Sequence, residues 1–169
     1  NTYLTSPYSG CYDNERISVG FINYTAHCSE TSWADPTLSI GAVNAFTNTG
    51  KYPIAIGNCC LAADFGYNEC IGETWMRGEN KGAVGYIGSS PSSYWKEDMY
   101  WGVGAWPMSG DNNGYVPTAE ETTMGAYDGA WGESYYCLDA IAFVGNLAVS
   151  EVHINGWTSH SSPTYYWQA

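Results

Sequence analysis

KYPIAIGNCCLAADF, residues 51–65, sets a short apolar run, Tyr52 to Ile56, ahead of Gly-Asn and two adjacent cysteines. A strand ending this way delivers a reactive side chain to the carboxyl edge of an α/β sheet, where ligands bind. Cys60 is the candidate nucleophile. Neighbouring side chains of an extended segment point to opposite faces, so only one of the two thiols can enter a cleft.

Upstream, ISVGFINYTAHCSETSWADP spans residues 17–36. Ile17 to Tyr24 is a nearly continuous apolar run, as expected of a strand covered on both faces, and it ends in Thr-Ala-His-Cys. His27 then leaves its strand at the same edge as Cys60. A nearby imidazole raises the thiolate fraction of a cysteine and can later protonate a departing amine.

Composition narrows the functional classes. The chain has 169 residues, 8 Trp, 15 Tyr and 20 Gly, with 5 Lys+Arg against 17 Asp+Glu. A net charge of −12 repels nucleic acid and anionic membrane surfaces. Aromatic mass can supply a core where charge is scarce, and the polar loops suit a secreted protein. No signal peptide is visible, and no apolar stretch is long enough to cross a bilayer. Asn1 at one end and the aromatic run Tyr165-Tyr166-Trp167 near the other suggest a fragment.

Six cysteines, at 11, 28, 59, 60, 70 and 137, are too few and too irregular for a disulfide scaffold. Zinc spacing is absent, so no metal site is assigned and no cofactor is required. Glu30, Asp35, Asp64, Glu73 and Glu97 leave room for a structural calcium ion, though without EF-hand spacing. Cys59 and Cys70 read as buried thiols, and Cys11 could pair with Cys137. His153 and His160 lie outside the machinery.

In chain order, residues 1–16 read as a tail or loop and the first strand runs up to His27. Leu38, Val43 and Phe46, closed by Gly50, predict a short helix. After the cysteine strand, Asn68 would cap a helix carrying Ile71, Trp75 and Met76 on one side. A third strand, Ala83 to Ile87, precedes the loop GSSPSSYWKED. Residues 106–132 resist assignment, and Tyr135 to Val149 should be the longest helix. Alternating strands and helices imply parallel pairing through right-handed crossovers.

NYTAHCSETSWADP, KYPIAIGNCC and YIGSSPSSYWKEDMYW, in this order and at these spacings, resemble the catalytic domain of the gingipains, peptidase family C25, secreted cysteine endopeptidases of oral Bacteroidetes. The likeness runs from about Val19 to about Asn146, continues more weakly to Tyr166, and is nearest the lysine-specific member. It implies an α/β fold, a caspase-haemoglobinase-like three-layer sandwich with a mostly parallel sheet. Residues 17–169 would then be the carboxyl-terminal part of the catalytic domain, completed by other segments of the same precursor.

By the same resemblance, His27 falls on the catalytic histidine and Cys60, not Cys59, on the nucleophile. The backbone N–H groups of Cys60 and Cys28 fall on the oxyanion hole. Asp98, on the loop after the third strand, falls on the carboxylate of an S1 pocket for lysine; Trp95 aligns with that pocket's aromatic wall and Thr25 with a hydroxyl that helps hold the ammonium. The implied activity is peptide hydrolysis after lysine in an extracellular or cell-surface setting.

Three departures accompany the likeness. Cys28 replaces a glycine after the histidine, where a side chain is a penalty if φ is positive or the residue lies close to the substrate. A bond from Cys28 to Cys60 or Cys59 would silence the enzyme reversibly. Lys96 stands two residues before Asp98, its ammonium expected in solvent. No residue in 1–16 matches the acid that orients the histidine, so that acid is expected on another segment. The alternative is a catalytically silent relative serving surface binding or assembly.

Overall fold

The structure is a computed structural model, and it describes residues 19–108, 115–131, 137–157 and 167–168. The expected tail, Cys11 and His160 lie outside the described residues. The chain divides into two units, Asn1–Ser93 with Gln168–Ala169, and Tyr94–Trp167.

The first unit begins with β1 (Phe21–Thr25), followed by three short strands, β2 (Cys28–Ser29), β3 (Ser32–Trp33) and β4 (Leu38–Ser39). Helix α1 (Ile40–Asn44) comes next, then β5 (Ile54–Asn58), α2 (Ile71–Arg77) and β6 (Gly85–Ser89). Strands β1, β5 and β6 pair in parallel, Thr25 opposite Asn58 and Ile56 opposite Ile87. A two-residue strand, β7 (Trp167–Gln168), completes the order β1-β5-β6-β7. The expected parallel sheet is therefore present. Strands β2, β3 and β4, which the sequence reading did not anticipate, form a separate antiparallel sheet.

Element ends differ from expectation. The first predicted helix starts later, because Leu38 and Ser39 pair with β3 and the Ser39 hydroxyl caps α1 by accepting from the Ala42 N–H. Helix α2 is capped at Cys70 instead of Asn68: the Glu73 carboxylate reaches back and accepts the Cys70 N–H at 3.0 Å. Ile71 and Trp75 are buried as expected, whereas Met76 is exposed. Trp75 packs against Phe46 and Trp33, ring centroids 5.1 and 5.9 Å apart, and burial of each such ring contributes on the order of 2–3 kcal/mol.

Tyr86, on β6, explains why β5 and β6 carry glycines. Its buried ring fills the space that side chains at Gly57 and Gly88 would occupy; a Cβ on Gly57 would lie on the Tyr86 hydroxyl and 3.0 Å from the ring carbon bearing it. That hydroxyl accepts from the Trp33 indole N–H at 3.3 Å, so the ring cannot swing aside freely. Burial pushes the Tyr86 phenol well above its ordinary pKa, and it stays protonated at neutral pH. Gly57→Ala is expected to destabilise the protein by about 1–3 kcal/mol through overpacking, read from the midpoint of urea unfolding. An unchanged midpoint would mean that Tyr86 does not set the spacing.

The second unit is helical: α3 (Trp95–Val103), α4 (Ala126–Trp131) and α5 (Leu138–Ile154) pack on one another. Helix α5 is the longest element, as expected, and buries Ile141, Ala142, Ala148 and Val149 on one side. Helix α4 falls where the sequence resisted assignment. Among the described residues no helix is long and apolar enough to cross a membrane.

Candidate active site

Because β1 and β5 are parallel neighbours in register, residues just beyond Thr25 and Asn58 emerge at one edge of the sheet. His27 and Cys60 are those residues, each two positions past its strand. Between them runs a covalent link: Cys28, the residue after the histidine, is disulfide-bonded to Cys59, the residue before the candidate nucleophile, with Cα atoms 5.7 Å apart. The expectation of a buried thiol at Cys59 is thus corrected. The pairing depends on the turn that follows Thr25, which no local pattern reveals. Cys60 keeps a free, half-buried thiol, while Cys59 is fully buried. Cys70 is a buried thiol as expected, its pKa raised by burial, and Cys137 is an exposed thiol.

The chain turns sharply after Cys60. Leu61 adopts φ 59°, a left-handed conformation that costs a non-glycine residue about 1–3 kcal/mol and persists only where its surroundings enforce it. Here the Leu61 N–H donates to the Pro91 carbonyl at 3.0 Å and the Ala63 N–H to the Ser89 carbonyl at 2.9 Å. The same loop supplies Ser93. The Cys60 thiol donates to the Ser93 carbonyl at 3.4 Å, and the Ser93 hydroxyl lies 3.8 Å from the Cys60 sulfur. Sequence reasoning passed over Ser93, one of four serines in GSSPSS that nothing local distinguishes.

Neither the Cys28 nor the Cys60 N–H has a backbone acceptor among the described residues. The Ala34 N–H donates to the His27 carbonyl at 2.9 Å, which makes Cys28 and Trp33 a non-hydrogen-bonded pair of the β2–β3 ladder. The Cys28 N–H therefore points away from β3. The Cys60 N–H likewise donates to no backbone carbonyl among the described residues. Cys28 does not adopt positive φ, so the backbone part of the expected penalty does not arise.

The remaining candidates are placed as follows. Thr25 is exposed at the end of β1, and its hydroxyl accepts from the Asn23 amide at 3.4 Å. Trp95 and Asp98 belong to the second unit. Asp98 is not on a loop but in the first turn of α3, buried, its N–H donating to the Tyr94 carbonyl at 2.9 Å. WKED, expected as the end of the loop, is the start of this helix, which runs on to Val103. Lys96 lies with its ammonium 5.8 Å from the centre of the half-exposed Trp95 ring. Glu73 pairs with Arg77 at 3.9 Å. No group of three or more His, Cys, Asp or Glu among the described residues could hold a metal ion.

Comparison with known proteins supplies the context. The family model of peptidase family C25 matches residues 14–147. Lys-gingipain HG66 of Porphyromonas gingivalis is 49% identical over 170 residues, which cover 99% of this chain and 10% of that protein. Gingipain R2 of the same organism is 30% identical over 86 residues, 48% of this chain. A solved structure described as that of a protease superposes with TM-score 0.86 at 45% identity, covering 98% of this chain and 37% of that one. The Arg-specific cysteine proteinase gingipain R superposes with TM-score 0.62 at 21% identity over 83% of this chain and 30% of that one, a likeness of fold. The expected caspase-like α/β class is the class found. The chain spans about 10% of the length of the Lys-gingipains it matches.

Proposed function

This chain belongs to peptidase family C25, and from that premise we propose that it is part of a secreted cysteine endopeptidase that cleaves after lysine through Cys60 and His27. His27 takes the thiol proton as the Cys60 sulfur bonds to the lysine's own carbonyl carbon. The oxyanion so formed rests on the N–H groups of Cys60 and Cys28. His27 then passes its proton to the amide nitrogen, the C–N bond breaks and a thioester remains. Water, losing a proton to His27, attacks the thioester and releases the acid and the Cys60 thiol.

The observation that supports this reading most is the Cys28–Cys59 bond, whose ends are the immediate neighbours of His27 and Cys60; because it leaves the Cys60 thiol free, this reading drops the silencing expected of a bond from Cys28 to Cys59. That neither N–H has a backbone acceptor among the described residues supports the oxyanion assignment. By the resemblance, Asp98 is the S1 carboxylate in this reading, Trp95 a wall of the pocket and Thr25 the hydroxyl that holds the ammonium. Secretion is supported by the disulfide, which persists in oxidising compartments, and by the acidic composition. Substrates are proteins or peptides, other precursor segments complete the domain and bring the acid that orients His27, and no cofactor takes part.

A reagent carrying lysine next to a thiol-reactive group tests the assignment in the intact protein. Stoichiometric adduct on Cys60, competed by a lysyl peptide, is the expected result. No adduct with Cys60 reduced would favour the silent binding module that the glycine-to-cysteine departure at Cys28 suggests.

A further inference from the structure

We infer that Tyr24 is a positioning residue for the oxyanion donor, an inference that rests on the roles given above to Cys60 and His27. Tyr24 is buried on β1 while its neighbours Asn23 and Thr25 are exposed, so its side chain leaves the strand on the inner face. The phenol ring stacks on Trp33, centroids 4.6 Å apart and planes within 5° of parallel. Trp33 is itself anchored through its indole N–H to Tyr86. The reach of the Tyr24 hydroxyl is thereby fixed.

That hydroxyl donates to the His27 carbonyl at 2.7 Å and accepts from the N–H groups of Ala34 at 3.0 Å and Asp35 at 3.2 Å. One donor and two acceptor positions exhaust what a phenol offers. The His27 carbonyl also accepts from the Ala34 N–H at 2.9 Å, so two donors hold it from the β3 side. A trans peptide is rigid and planar, and its N–H points opposite to its C=O. Pinning the His27 oxygen therefore aims the Cys28 N–H the other way, out of the ladder. The Cys28–Cys59 bond tethers the far side of the same peptide to the residue before the nucleophile. Tyr24 touches no reacting atom; it sets the angle of a donor that does.

Tyr24→Phe removes the oxygen and keeps the ring on Trp33. In the intact protein, kcat for a lysyl peptide amide should fall about 10- to 100-fold with KM changed less than twofold, since a misaimed donor acts on the transition state and costs somewhat less than a deleted one. Alkylation of Cys60 by iodoacetamide, followed by mass spectrometry of its peptide, needs a thiolate but no oxyanion hole, and should stay within twofold of the unsubstituted rate. A kcat within twofold of the unsubstituted protein overturns the inference. So does a loss carried by KM, or a fall in alkylation parallel to kcat, which would mark a general disturbance of the loop. If instead the unsubstituted protein hydrolyses peptides just as well after Cys60→Ala, the nucleophile assignment has failed and not the role of Tyr24.

Discussion

Replacing Cys60 with alanine is expected to lower peptide hydrolysis by about 10⁴-fold or more, and His27→Ala to cost nearly as much, because members of one catalytic unit act together and losing either removes the unit. The informative contrast is with the adjacent cysteine. Cys59 spends its sulfur on Cys28 and is fully buried, so it contributes no nucleophile. The double substitution Cys28→Gly with Cys59→Ala removes the bridge and restores the glycine usual after the histidine. It should keep activity within about tenfold while lowering stability by about 2–4 kcal/mol, the usual effect of opening a loop of this length, here a separation of 31 residues. Rates on a lysyl peptide amide and thermal melts of the same preparations settle both halves. Hydrolysis that survives Cys60→Ala and dies with Cys59→Ala would exchange the two roles.

The second large effect is on specificity. Asp98→Asn keeps shape and removes charge at a buried position. Losing one partner of a desolvated charge pair costs about 2–5 kcal/mol, so kcat/KM for lysine at P1 should fall between about 30-fold and several thousandfold. A substrate with norleucine at P1 places the same methylenes in the slot without an ammonium, and its cleavage should change little. Only that pairing of results assigns Asp98 to lysine recognition. Equal losses on both substrates would mean that Asp98 supports the start of α3 instead. Lys96 is no competitor for the carboxylate if it stays on the Trp95 ring, and Lys96→Ala offers a control.

The parallel strands were legible because Ile17 to Tyr24, Tyr52 to Ile56 and Ala83 to Ile87 are short apolar runs between turn signals, and the longest helix because its apolar residues recur at helical spacing. The ends of β5 and β6 were misplaced for one shared reason. Gly57 and Gly88 read as terminators, yet both lie inside strands, so that β5 extends to Asn58 and β6 to Ser89. Glycine there makes room for Tyr86, a contact across strands that no window of one segment contains. The start of α3 was hidden similarly: Asp98 follows a serine-rich loop with no Ser, Thr, Asp or Asn at the cap, which is Tyr94. Helix α4, six residues with two glycine neighbours of its cap and core, is too short for periodicity to announce it.

At the site, residue types could be read and their fastening could not. His27 and Cys60 stand out by chemistry at strand ends. Tyr24 and Ser93 look like an ordinary core aromatic and an ordinary loop serine until the fold brings one to a carbonyl and the other to a sulfur. The Cys28–Cys59 link joins positions that only the register of β1 against β5 relates.

That link has an implication for where such a chain can work. Two sulfurs on consecutive residues are asked to hold different oxidation states at once, Cys59 spent in a bond and Cys60 free to react. Surroundings harsh enough to cap every exposed thiol would disarm the second, and surroundings that reduce everything would unfasten the first. Full stability together with a free Cys60 thiol is kept only between those poles, and both limits are set by residues one peptide bond apart.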